Sequence, residues 1–167
     1  RMYFVMSKSL KKLELSLENY FSSNGWNYEF DRENSVFRIT LALNGKIKSV
    51  NHVIYVGDSE YRSYAYPNIM NANEKSYNSV AEYLHRINRS IFDGRFEIDF
   101  EDGEIRFFIR KECINREPEE KDFLDILELP EYIISCYGEG LLAVMFGVKS
   151  PKEAAKEALD NLLQRNV

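Results

Sequence analysis

The sequence predicts an α+β fold in which an antiparallel sheet is flanked by helices. Three observations carry that prediction. Apolar residues recur at helical spacing near both ends, strict apolar–polar alternation fills the stretches between, and turn dipeptides separate the alternating runs. The resulting order is α-β-β-β-β-α-β-β-α-α.

The first helix is expected from about Ser9 to Phe21. Leu10, Leu13, Leu17 and Tyr20 share one face, Lys11, Lys12, Glu14 and Glu18 take the other, and Asn24-Gly25 supplies the stop. A short strand follows over Trp26–Phe30, with its turn at Asp31–Asn34. Val36–Leu43 alternates, placing Phe37, Ile39, Leu41 and Leu43 on one face and Val36, Arg38, Thr40 and Ala42 on the other. Asn44-Gly45 is turn chemistry. Strands at Val50–Val56 and Tyr61–Tyr66 meet around Gly57-Asp58, and Pro67 ends the series.

The second helix is expected from Ser76 or Ser79 to Ile91, because Ser79 and Glu82 stand at capping-box spacing and Val80, Leu84, Ile87 and Ile91 form a stripe. A hairpin comes next. A two-residue turn at Asp102-Gly103 sets Phe100 opposite Ile105, Ile98 opposite Phe107, Phe96 opposite Ile109 and Asp99 opposite Arg106. Pro130 suits a helix start, so a third helix is expected towards Phe146, with a bend or break at Gly138 and Gly140. Ser150, Pro151 and Glu153 are a complete start signal for the last helix, which carries Ala155, Ala158, Leu159, Leu162 and Leu163.

The chain's 167 residues, 44% of them hydrophobic, suffice for one domain with a sizeable core, and no Pro/Gly/Ser linker divides it. We take residues 1–167 as a single domain, with roughly the first six an added leader before a natural start at Met6-Ser7. That opening lacks the basic and apolar regions of a signal peptide. The longest apolar run, Leu141–Val148, falls far short of the roughly 20 residues that span a bilayer. A cytoplasmic protein without membrane contact is expected.

Charge argues against nucleic acid, since 22 basic residues face 27 acidic ones and phosphate binding needs clustered Lys and Arg. Cys113 and Cys136 stand alone and apart, which favours reduced thiols over a zinc site. His52 and His85, the two histidines, lack an evident orienting partner and read as surface or partly buried side chains. Glu97, Asp99, Glu101, Asp102 and Glu104 would suit a metal-assisted hydrolase, but their alternation with Phe and Ile is that of a half-solvated strand. No phosphate-cradling glycine motif occurs. The expectation is therefore no catalytic residue, no metal and no cofactor.

Aromatic and arginine residues are more informative. Arg62, Tyr64 and Tyr66 share one strand face, and Phe108 lies between Arg106 and Arg110 on the hairpin's outer face. Tyr and Arg are enriched at binding hot spots. These five, Arg62, Tyr64, Tyr66, Arg106 and Phe108, are the candidate partner-binding residues. Whether that face meets a partner or a layer of helices stays open.

The segment Val80-Ala-Glu-Tyr-Leu-His-Arg-Ile-Asn88, followed by Gly94-Arg-Phe-Glu-Ile-Asp-Phe100 and Asp102-Gly-Glu-Ile-Arg-Phe107, resembles the YbjN family. A later stretch with Tyr137 and Leu141-Leu142, and the run Pro151–Ala155, look similar too. The resemblance covers the C-terminal half well and the N-terminal half by element order. It departs in the tyrosine-rich middle strands and the charged connector Arg116–Asp122. It implies a bacterial domain with a fold like that of type III secretion chaperones, and a homodimer. It further implies a non-enzymatic role, in regulation, sensory transduction or chaperone-like capture of another protein or protein segment. Its recurring residues imply structural duties, Asn88 after the helix and Gly94 and Gly103 for the backbone. A small-ligand sensor with a pocket between sheet and helices is the alternative.

Overall fold

The computed structural model describes residues 7–165, so the reading of the opening six residues lies outside it. Helix α1 runs Lys8–Ser23, with the Ser7 hydroxyl accepting the Leu10 N–H at 3.0 Å. Gly25, at φ +66°, turns the chain away after Asn24. Strands β1 Glu29–Asp31, β2 Val36–Ala42, β3 Ser49–Val56 and β4 Glu60–Pro67 follow as an antiparallel meander. A single 3-10 turn, Glu74–Ser76, leads into α2, Tyr77–Asn88. After it come β5 Arg95–Ile98, β6 Ile105–Glu112, α3 Glu120–Met145 and α4 Pro151–Arg165. The sheet order is β1-β2-β3-β4-β6-β5. The α+β class and the element order match the expectation from sequence.

Strands β2 to β6 bury alternate residues mainly on one face, with Val36 at the start of β2 buried on the other. Phe37, Ile39, Val50, Ile54, Tyr61, Ala65, Phe96, Ile105, Phe107 and Ile109 form that inner face. Leu13, Leu17 and Phe21 of α1, Val80, Tyr83, Leu84 and Ile87 of α2, and Ile126, Leu127, Ile134 and Leu141 of α3 cover it. Ala154, Ala155 and Ala158 close α4 onto the cluster, while Leu163 stays exposed. Two buried phenols tie the layers together. Tyr61 donates to the Leu13 carbonyl at 2.8 Å and Tyr83 to the Tyr137 carbonyl at 2.7 Å.

The structure corrects several local readings. Helix α3 begins ten residues before Pro130. Its true start signal is Asp122, whose carboxylate accepts the Glu119 N–H at 2.8 Å and holds Arg116 at 2.6 and 2.8 Å. Pro130 sits inside the helix, where it denies the Ile126 carbonyl a donor; burial of Ile126, Leu127 and Ile134 around it carries the helix through. Gly138 and Gly140 do not break α3. They let neighbours approach: a Cβ on Gly138 would lie 2.5 Å from Ile47 Cδ1, and one on Gly140 would lie 2.4 Å from the Tyr83 hydroxyl.

Ser79 lies within α2 rather than at its cap, and Glu82 pairs with Arg86 at 2.7 Å. The last helix starts as expected, with the Ser150 hydroxyl and the Glu153 carboxylate 2.6 Å apart. Glu14, expected on the solvated side of α1, is buried.

The hairpin keeps its faces but shifts its register by two. Phe96 opposes Phe107, Ile98 opposes Ile105, and Glu97, not Asp99, opposes Arg106. The cause lies in the turn. Asp99 and Asp102 carboxylates accept the N–H groups of Glu101 and Glu104 at 2.8 and 2.9 Å, and Gly103 at φ +77° donates to the Asp99 carbonyl at 2.8 Å. That geometry lengthens the loop to 100–103 and leaves Phe100 exposed, edge-on to Tyr77. Asn88, read as a residue that caps or turns the chain after its helix, instead grips β5. Its side chain accepts the Phe96 N–H at 2.8 Å and donates to the Phe96 carbonyl at 2.9 Å.

Two stability predictions follow from these contacts. Asn88→Ala leaves both Phe96 backbone groups without a protein partner and should cost about 1–3 kcal/mol in denaturant unfolding. Asp122 is buried, which works against its charge. Its bonds to Arg116 and the Glu119 N–H outweigh that and hold its pKa below the ordinary carboxylate value. Its contribution is therefore present above the unfolded value and lost as pH falls through the lower folded one. Asp122→Asn should cost about 1.5–3 kcal/mol at neutral pH, with the gap to wild type closing below about pH 4 in a pH series of unfolding midpoints.

Candidate functional site

The four helices of the described residues pack on the inner face, so among those residues none covers the outer face of the sheet. Its residues are the alternates of the buried ones. They are Arg38 and Thr40 on β2, Asn51, Val53 and Tyr55 on β3, Arg62, Tyr64 and Tyr66 on β4, Arg106, Phe108 and Arg110 on β6, and Arg95 and Glu97 on β5. The five residues proposed from sequence all lie here, and the strand pairing brings them together. Arg62 is exposed and Tyr64, Tyr66, Arg106 and Phe108 are half-buried, on the side opposite the helices of the described residues.

Tyr64 is the centre. It stands opposite Phe108 on β6 and Val53 on β3. Its ring lies 5.0 Å from that of Phe108 and meets Tyr55 edge-on at 5.8 Å. Guanidinium groups cover these rings. Arg106 lies 4.6 Å over Tyr64, Arg95 4.6 Å over Phe108, and Arg62 5.9 Å over Tyr55. Carboxylates set the arginines in turn: Glu97 accepts from both Arg95 and Arg106 at 2.8 Å, while Glu60 joins Arg62 and Arg110.

Arg106 is held most firmly. Burial disfavours its charge, but hydrogen bonds with Glu97 and Tyr66 outweigh burial and raise its pKa above the ordinary arginine value. Burial likewise pushes the Tyr66 phenol up, against the opposing pull of Arg106. Such a surface presents flat aromatic area and fixed donors without having to order them on contact, which lowers the entropic cost of binding. Beyond Tyr66 the face dips into a cleft of about 440 Å³ lined by Arg38, Tyr55, Ile69 and the exposed Met70.

Sequence reasoning missed Tyr55, Arg95 and Arg38. Tyr55 could have been found from parity alone, since it alternates with the buried Ile54 and Val56. Arg95 could not, because its position over Phe108 depends on the two-residue register shift.

The other sequence candidates scatter. Glu97 serves the arginines, and Asp99 and Asp102 serve the turn. Among the described residues no three His, Cys, Asp or Glu side chains form a group suited to a metal ion. His85 is exposed on α2, but His52 is fully buried beneath α3, with Nε2 3.6 Å from Glu131 Oε1. Cys113 is buried and Cys136 half-buried, and neither is in a disulfide. No helix among the described residues is long and apolar enough to cross a membrane.

No family model and no curated protein matches the chain. Among solved structures, YbjN from E. coli, a candidate transcription regulator, superposes with a TM-score of 0.51 at 14% identity, over 72% of this chain and 84% of that one. The fold is that of YbjN. The segments that resemble the YbjN family in sequence are α2, β5, β6, the later part of α3 and the start of α4. The aromatic centre at Tyr55 and Tyr64 lies outside them, on β3 and β4.

If Tyr64 and Phe108 belong to an open face, truncating either should spare the fold. Tyr64→Ala and Phe108→Ala should each cost about 1 kcal/mol, chiefly lost ring–ring contact. Tyr83→Ala, which empties a fully buried site, should cost about 3–5 kcal/mol. Denaturant unfolding of the three variants checks the contrast.

Proposed function

We propose that this chain is a non-enzymatic protein-binding domain with a regulatory role, and that its helix-free sheet face is where an extended protein segment docks. The observation that carries the reading is the clustering of Tyr55, Tyr64 and Phe108 under Arg62, Arg95 and Arg106 on that face. Aromatic and arginine side chains dominate binding hot spots because they bring large area and directed donors with few torsions to freeze. The partner this chemistry fits is a segment offering carboxylates to the arginines and apolar or aromatic side chains to the rings.

Docking on the face is favoured over strand addition. Asn88 occupies both backbone groups of Phe96 on the edge strand β5, and β1 at the other edge is three residues long. The likeness to YbjN, a candidate regulator, supports a regulatory or binding role. We place the protein in the cytoplasm of a bacterium, as a homodimer. Two cysteines outside any disulfide support a reducing compartment, and the sequence resemblance to the YbjN family supports the dimer.

The test is affinity capture from lysate with the wild-type chain and the Tyr64→Ala/Phe108→Ala double variant, with mass in solution measured for both. A protein retained by wild type should bind the variant about 30-fold more weakly, the equivalent of one hot spot of about 2 kcal/mol, while both chains melt within a few degrees of each other. Equal retention by a folded variant would remove this face from consideration.

A further inference from the structure

On the inner side, away from the sheet's open face, a second cleft of about 490 Å³ runs between α3 and the β2–β3 turn. That size falls within the roughly 300–1,000 Å³ of small-molecule sites. Trp26, Leu41 and Leu43 supply apolar surface, and Tyr132 faces them from α3. Tyr20 meets Trp26 edge-on at 5.9 Å and the Phe21 ring lies 6.2 Å away, so ring contacts hold the indole in place.

The polar side of the cleft is acidic. Glu128 and Glu131 stand one helical turn apart on α3, and neither has a Lys or Arg nitrogen within 4 Å among the described residues. Glu131 Oε1 is buried and receives no hydrogen bond. The group facing it from below is His52, whose side chain is 0% exposed and whose ring nitrogens both lack hydrogen-bond partners. At 3.6 Å, Nε2 is beyond hydrogen-bonding reach of that oxygen. That oxygen is turned towards the imidazole, while the Glu131 side chain as a whole keeps 20% of its surface exposed and lines the cleft, so the remainder of the carboxylate is what a donor in the cleft can reach.

We propose that this cleft binds a small organic cation, a primary ammonium or guanidinium group on a short apolar stem. Glu131 and Glu128 accept its N–H groups, the indole face of Trp26 stabilises its charge, and Leu41 and Leu43 cover the stem. A quaternary ammonium fits less well, because it has no N–H to give Glu131. The site shares no residue with the Tyr55–Tyr64–Phe108 cluster, so its test is independent of the docking reading.

Trp26 is the one tryptophan in the chain, and its emission reports on the cleft directly. Agmatine titrated into the full chain at constant ionic strength should give a saturable change in emission. Glu131→Gln should raise the dissociation constant about tenfold or more, the loss of one charge-assisted hydrogen bond, and choline should bind about tenfold more weakly than agmatine. The exposed Glu128→Gln provides the same reading should Glu131→Gln fail to fold. No saturable response up to roughly millimolar agmatine, equal binding of choline, or unchanged affinity in the folded carboxylate variants would each overturn the assignment.

Discussion

Gly138 and Gly140 set the distance at which α3 crosses the molecule, and much of the structure depends on that distance. Ile47 fills the space where one Cβ would be, and the phenol of Tyr83 fills the other. The Tyr83 hydroxyl then reaches the Tyr137 carbonyl, so a polar group deep in the core is satisfied only because the helices lie this close. Burial accordingly pushes the Tyr83 phenol above the ordinary tyrosine value. A bulkier residue at either glycine would lift α3, unseat Tyr83 and loosen α2, which packs between α3 and β5. The 26-residue length of α3 matters equally, since it covers β4 and β6 as well as the turn before β3. With one face of the sheet so completely occupied, the other is left bare.

A bare sheet face with four aromatic rings is an aggregation hazard unless it is ordered by charge. Here each ring carries or adjoins a guanidinium, and Glu60, Glu97 and Glu112 hold the guanidinium groups in register. Individually such exposed pairs contribute little stability. Their effect is to keep the rings apart from unspecific partners while leaving their outer surfaces accessible. Both edges are also blunted, by the brevity of β1 and by the Asn88 amide on β5.

The sequence revealed whatever depends on period and parity. Helical stripes, alternating strands and the Ser150–Glu153 cap were readable because each is decided within a few residues. The five candidate residues were readable for the same reason, since parity puts Tyr64 with Tyr66 and Arg106 with Phe108. The hairpin register was off by an even number, so its faces survived while its partners changed. What could not be read depends on distant neighbours. Pro130 and the two glycines are helix-breaking signals by intrinsic propensity; burial of Ile126, Leu127 and Ile134 overrides the first, and packing against Ile47 and Tyr83 overrides the others. Which face α3 covers follows from that packing, so no local pattern could say whether Tyr64 is core or surface. His52 escaped for a similar reason: its strand position gives its face, but only the crossing of α3 buries it.

Gly94, Gly103 and Asn88, all within or beside the segments that resemble the YbjN family, have backbone duties. Gly94 has Phe107 and the Phe108 carbonyl at 2.6 Å from a would-be Cβ, and Gly103 has the Ala72 carbonyl oxygen at 2.1 Å. Asn88 spends its amide on Phe96. Such residues fix how α2, the hairpin and the loop before α2 fit together. Tyr55 and Tyr64 answer to no such constraint, since substitution there leaves the inner packing intact. The inner packing and the outer face therefore answer to separate constraints, and the distinctive chemistry of the outer face is its arginine-covered rings.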